Sequence, residues 1–185
     1  MKIKIGLPKG LLYYYYKDLW TYFFKYLDCI TVESINSNKK ILEEGEKLVL
    51  DESCLSLKLF LGHASYLKDK CDYILVPRIF SVKKNEGVCT NFSCLYDLTN
   101  NVLENVNILN YNIDLTTRDS ELLGFLKIGR DLGFSYIKSY KAYKFAKKKS
   151  LELREEKEKL QEEKLKNNNL KILLAGHPYN LYDEL

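Results

Sequence analysis

Two cysteines carry the strongest chemical signal in this chain of 185 residues: Cys54, in LVLDESCLSLKLFLGH, and Cys89, in the polar loop SVKKNEGVCTNF. Cys54 stands where a helix is about to begin. Unpaired N–H groups and the helix dipole favour negative charge there, and so a thiolate. Thiolates are the ligands of zinc and of iron–sulfur clusters. If Cys54 and Cys89 converge on one edge of a sheet, they can share such a centre. Spacing alone leaves this open: there is no CxxC, and free cysteine is also a common small core residue. Cys29 and Cys71 flank apolar strands and read as core thiols, and Cys94 reads as core as well. His63 follows Cys54 on the same helix and reads as structural. His177 sits beside Pro178 in a turn, with a site role and a structural role equally open. Asp51 and Glu52 read as helix-capping residues. No Ser/His/Asp arrangement shows in the sequence, and GLPKG lacks the lysine-plus-hydroxyl ending of a phosphate-binding loop. Tyr13–Tyr16 and Trp20 read as packing.

These residues need elements to hold them. Lys2–Ile5 alternates and ends at Gly6-Leu7-Pro8, which predicts a strand and its exit turn. Leu11–Leu27 predicts a helix, Ile30–Val32 a second strand, and Lys39–Leu50 a helix that tolerates Gly45. Cys54–Lys68 predicts another helix, capped by Asp51 or Ser53. Asp72–Val76 is an apolar run closed by proline, as in a buried parallel strand. A polar loop follows, then a helix over Ser93–Leu103 and a strand at Val106–Leu109. NIDLTTRDS reads as a loop, Leu122–Leu132 and Ile137–Lys166 as helices, and Leu170–Ala175 as a last strand. The order βαβααβαβααβ predicts an α/β domain with a parallel sheet and helices on its faces. One domain spans 1–185, in which 134–169 is a long charged helix and linker leading to the strand at 170–175. Ligands of parallel sheets collect beyond the carboxyl ends of the strands. That rule puts Gly6 and Pro8 after the first strand, Arg78 and Ser81 after the third, and His177 and Asn180 after the last, all lining one cleft.

Composition removes several functional classes. No apolar run reaches the roughly 20 residues of a membrane span. MKIKIGLPKG lacks the long apolar core of a secretion signal, so a cytoplasmic location is expected. Five cysteines, an odd number, then argue against a disulfide framework. The net charge is +4, yet Lys141–Lys166 alone holds ten Lys/Arg against six Glu, leaving the remainder at 19 against 19. The basic surplus belongs to one helix whose Glu155–Lys159 and Glu162–Lys166 pairs suit solvent. It is not a nucleic-acid footprint.

Four stretches, IGLPKGLLYYYYKDLWTYFF, ILEEGEKLVLDESCLSLKLFLGH, CDYILVPRIFSVKKNEGVCTNF and ILLAGHPYNLYD, together resemble one family. It is the domain found beside, or fused to, ATP-dependent activases of 2-hydroxyacyl-CoA dehydratases, a domain similar to the dehydratase subunits themselves. The resemblance covers nearly the whole chain in order. It implies a flavodoxin-like fold, here one half of a two-domain unit, and a low-potential 4Fe–4S cluster in the cleft between two such domains. Cys54 in DESCLSLK and Cys89 in GVCTNF match the family cysteines. A third ligand comes from the second domain in related subunits, so the ligand set within this chain is incomplete. A complementary second-domain chain and an ATP-dependent activase are the implied partners. Exposed apolar residues at an unfilled cleft, Leu7, Ile79 and Tyr179 among them, would favour self-association. Two functions stay open at this point: an iron–sulfur redox component of the dehydratase type, or a non-catalytic α/β interaction module.

Overall fold

The structure, a computed structural model, describes residues 2–83, 86–117, 119–166, 169–183 and 185. Along the chain run β1 (Lys4–Leu7), α1 (Tyr13–Tyr26), β2 (Ile30–Glu33), α2 (Lys39–Glu46), α3 (Leu55–Leu67), β3 (Tyr73–Leu75) and β4 (Arg78–Ser81). Then come α4 (Thr90–Ser93), α5 (Leu95–Val102), β5 (Ile108–Leu109), β6 (Asn112–Asp114), α6 (Glu121–Asp131), α7 (Tyr136–Leu165) and α8 (Pro178–Leu181). The main sheet has the order β2-β1-β3-β5, with every pair parallel. This is the expected flavodoxin-like α/β arrangement.

Side-chain alternation along β1 sorts the two faces. Ile5 and Leu7 bury on one face with Leu75, Leu109 and Tyr111, under Phe23 and Phe24 of α1, Phe125 of α6 and Ala142 of α7. Ile74 and Val76 bury on the other, under Phe60, Leu61 and Ala64 of α3 and Leu95 of α5. Gly6 faces α3, where a Cβ would stand 2.6 Å from the Cys71 sulfur. Helices therefore cover both faces; of the aromatic run of α1, Tyr13 and Trp20 pack as expected, Tyr14 and Tyr16 are half-buried, and Tyr15 is 51% exposed.

Two strands escaped the sequence reading. The bonds Ile74 N→Asn107 O, Val76 N→Leu109 O and Arg78 N→Tyr111 O, each 2.9 Å, carry one ladder from β3–β5 into the parallel pair β4–β6. Pro77 lies within it. By alternation its missing N–H would face away from that ladder, so the proline interrupts nothing on this side.

Helices α2 and α3 meet backbone to backbone. A Cβ on Gly45 would lie 1.8 Å from Lys58 O, and one on Gly62 would lie 1.9 Å from Ile41 O. Gly45 is thus required by the contact rather than tolerated in a helix. Neither Asp51 nor Ser53 caps α3; Cys54 is its N-cap residue, without a side-chain capping bond.

The strand expected at 170–175 is absent; these residues form no ladder. Leu170, Ile172, Leu173 and Leu174 are 90%, 78%, 90% and 72% exposed. Apolar composition makes a strand only where a neighbour supplies hydrogen bonds, and here the chain leaves α7 without reaching an edge of either sheet. The segment then returns, and α8 settles against α1. Leu7 and Ile79, expected to be exposed at an open cleft, are 0% and 1% exposed because alternation turns both into the core. No described helix is long and apolar enough to cross a membrane.

Candidate functional site

The two matched cysteines occupy equivalent positions: Cys54 is the N-cap residue of α3 and Cys89 that of α4. Both are exposed. The amide of Asn91, two residues beyond Cys89, donates to Cys54 Sγ at 3.3 Å. The turn that Cys89 opens is therefore in contact with Cys54.

Residues 177–180 close over this pair. The Tyr179 ring meets Phe92 at 6.3 Å and stacks on His177 at 5.0 Å and 7°. Burial raises the Tyr179 phenol above its ordinary pKa, and Tyr15, Cys89 and Cys54 push it the same way. Asn180 Oδ1 accepts a hydrogen bond from Ser56 Oγ at 3.3 Å, in the first turn of the helix that Cys54 begins. Cys54, Cys89, His177 and Asn180 thus come together, with Asn91, Ser56 and Tyr179 between them. Position relative to Cys89 was the one sequence signal for Asn91, and Ser56 carried none.

The other expected cleft residues have different surroundings. Gly6 lies inside β1 and serves the packing of α3 against the sheet. Pro8 is buried beyond the strand end. Arg78 forms an ion pair with Asp97 and lies over the Tyr96 ring at 5.0 Å, so its charge is spent on α5. Ser81 is 2% exposed and donates to Lys83 O, closing its own turn. Among the remaining thiols, Cys29 is buried, and Cys71 is half-buried and donates to Leu67 O at 3.2 Å. Cys94 corrects the core expectation. It is exposed, because it stands at the junction of α4 and α5, where no helix face turns it inward.

Cysteine thiolates hold 4Fe–4S clusters, commonly four to a cluster. No group of three or more His, Cys, Asp or Glu among the described residues is placed to hold a metal ion. Cys54 and Cys89, both exposed, free of disulfides and linked through Asn91, fit part of such a set. For such a cluster, the remaining donors would have to come from outside this pair.

No curated protein and no solved structure matches the chain. A family model does, over residues 4–185, and by that match the chain belongs to the CoA enzyme activase uncharacterised domain family.

Proposed function

We propose that this domain is an iron–sulfur redox component of a 2-hydroxyacyl-CoA dehydratase-like system, with Cys54 and Cys89 as its contribution to the cluster. The observation that carries the reading is the Asn91–Cys54 bond, which ties the Cys89 turn to the Cys54 helix start. A thiolate at either cysteine would sit at a helix amino end, although the four-residue α4 offers little dipole beside the thirteen-residue α3. A cluster here would supply one-electron transfer at low potential. The protein's own part is to present two sulfurs, to place the Asn91 amide as a donor to one of them, and to shield one side with Tyr179. Hydrogen bonds to ligand sulfurs and limited solvent access are the means by which a protein sets such a potential. A partner chain would complete the ligand set, and an ATP-dependent activase would deliver the electron.

The test is anaerobic reconstitution of the chain with iron and sulfide, alone and with a candidate second-domain chain. Cys54→Ser or Cys89→Ser should each abolish the broad visible absorption and the bound sulfide, while Cys71→Ser should retain both. Retention of a full cluster by both single variants would refute the reading. A second reading, an interaction module without redox chemistry, draws on the exposed apolar residues at 170–174. It gains if no combination of chains binds iron.

A further inference from the structure

A second polar group stands apart from the cysteines, where the loop after β2 meets the start of α1 and residues 182–183. Asp183 Oδ2 accepts two hydrogen bonds, from Ser37 Oγ at 2.8 Å and from Tyr14 Oη at 3.1 Å. Asp183 Oδ1 accepts from Leu185 N at 3.1 Å. Ser37 is 7% exposed and His63 is 0% exposed, and Ser37 Oγ lies 2.9 Å from His63 Nε2. A serine has one hydrogen to give. Ser37 gives it to Asp183, so its oxygen must accept from His63 Nε2–H. That assignment leaves His63 Nδ1 as a bare acceptor, and it is buried with no hydrogen-bond partner. Histidine and serine thus form a short relay that, among the described residues, ends on the carboxylate.

This relay opens on a cavity of about 990 Å³, whose walls include Lys9, Tyr14, Ser37, Lys147, Arg154 and Tyr182. Lining cations outnumber lining carboxylates: Lys9, Lys17, Lys147, Arg154 and Lys157 against Asp18 and Glu121. Four of the cations are engaged: Lys9 with Glu33 at 3.9 Å and with Asn36 Oδ1 at 2.9 Å, Lys147 with Glu121 at 2.7 Å, Lys157 with Asp18 at 3.0 Å and Arg154 with Glu158 at 2.9 Å. The volume lies within the range of small-molecule sites, roughly 300–1,000 Å³. The segment that carries Asp183 follows residues 170–175, which form no ladder, and α8 has only four residues.

We propose that the Ser37 and Tyr14 hydroxyls, backed by His63, form a carboxylate-binding subsite of this cavity, and that the chain's own Asp183 occupies it here. When residues 176–183 lift away, the subsite takes the carboxylate of a small organic acid whose body lies along the tyrosines of α1. Neutral hydroxyl donors suit a monoanion. A phosphate dianion would call for the cations or backbone N–H groups that, among the described residues, Oδ2 does not meet. This inference does not depend on the cysteine pair.

Acetate is the probe, titrated into the isotope-labelled full chain and followed by amide and imidazole NMR shifts. A ligand binds in proportion to the fraction of time its site is open. A subsite held closed about nine-tenths of the time predicts that Asp183→Ala binds acetate about tenfold more tightly than the original chain. The shifts should centre on Tyr14, Ser37 and His63, and Ser37→Ala in the Asp183→Ala background should remove them. Asp183→Asn, which preserves side-chain volume, should show a smaller gain in the same direction and serves if the alanine variant does not fold. Equal acetate affinity in the original chain and in both Asp183 variants would overturn the proposal. Shifts centred elsewhere would also overturn it, as would inorganic phosphate binding as tightly as acetate.

Discussion

Tyr111 offers a measurable test of how the core is held. It is 0% exposed, and its hydroxyl accepts a 2.9 Å hydrogen bond from the indole N–H of Trp20, itself 2% exposed. Tyr111→Phe would keep the ring packed against Phe125, 5.3 Å away between centroids, and remove only the acceptor. The Trp20 N–H would then be buried without a partner, which costs about 1–3 kcal/mol. In a chain of this size each kcal/mol lowers Tm by roughly 2–4 °C, so a loss near 2 kcal/mol predicts a fall of about 4–8 °C. Trp20 is the chain's single tryptophan, and its fluorescence reports the transition directly. The pH dependence adds a second constraint. Burial holds the Tyr111 phenol well above its ordinary pKa, against a smaller opposing effect of the Trp20 bond. The folded state keeps this proton while the unfolded chain loses it above about pH 10, so rising pH destabilises the fold. Each such tyrosine contributes about 1.4 kcal/mol per pH unit above that point. Tyr111→Phe has one fewer, so its deficit at pH 7 should shrink between pH 10 and 11. An unchanged Tm at pH 7, or a gap that widens in alkali, would refute the reasoning.

Gly62→Ala should destabilise by roughly 1–3 kcal/mol through overpacking against the Ile41 carbonyl, read as a lower urea midpoint at unchanged slope; an unchanged midpoint would mean that α2 and α3 separate freely. His63 is held down to a pKa of about 4, chiefly by burial, with Asp183 opposing and Lys9 adding to the effect. The stability it contributes is complete above about pH 6.5 and is lost as pH falls towards 4, so His63→Gln should flatten the stability profile over that window, as seen by denaturant melts at stepped pH. Cys54→Ser and Cys89→Ser should leave stability within about 0.5 kcal/mol, since both side chains are exposed; a larger loss in the same melts would mean that these thiols support the fold.

The longer helices were legible because their apolar residues recur over helical lengths, while the short α4 and α8 fell in stretches that read as loop and turn; the caps Asn38, Ser120 and Ser135, which accept from Ile41 N, Leu123 N and Lys138 N, emerged only from the structure. Strands β4 and β6 were not. Pro77 looks like a terminator until the direction of its absent donor is known, and Asn-Ile-Asp at β6 is too short and polar to declare itself. At 170–175 the error ran the other way, because strand propensity says nothing about whether a neighbour is present. Cys54 was expected at a helix start and Cys89 in a polar loop, and the structure makes both N-cap residues, whereas Cys94, five residues after Cys89, gave no sign of its exposure. The Ser37–His63–Asp183 relay joins residues 26 and 146 positions apart. No local pattern announces it.

A trivalent phenylarsenical tests most directly whether Cys54 and Cys89 serve one site, since it bridges two thiols only when both reach a single arsenic atom. With the reduced chain, mass spectrometry should find one arsenical linking the Cys54 and Cys89 peptides. The adduct should persist in Cys94→Ser and disappear in Cys54→Ser. Bridging of Cys89 to Cys94 instead, or uptake that survives Cys54→Ser unchanged, would contradict the shared site.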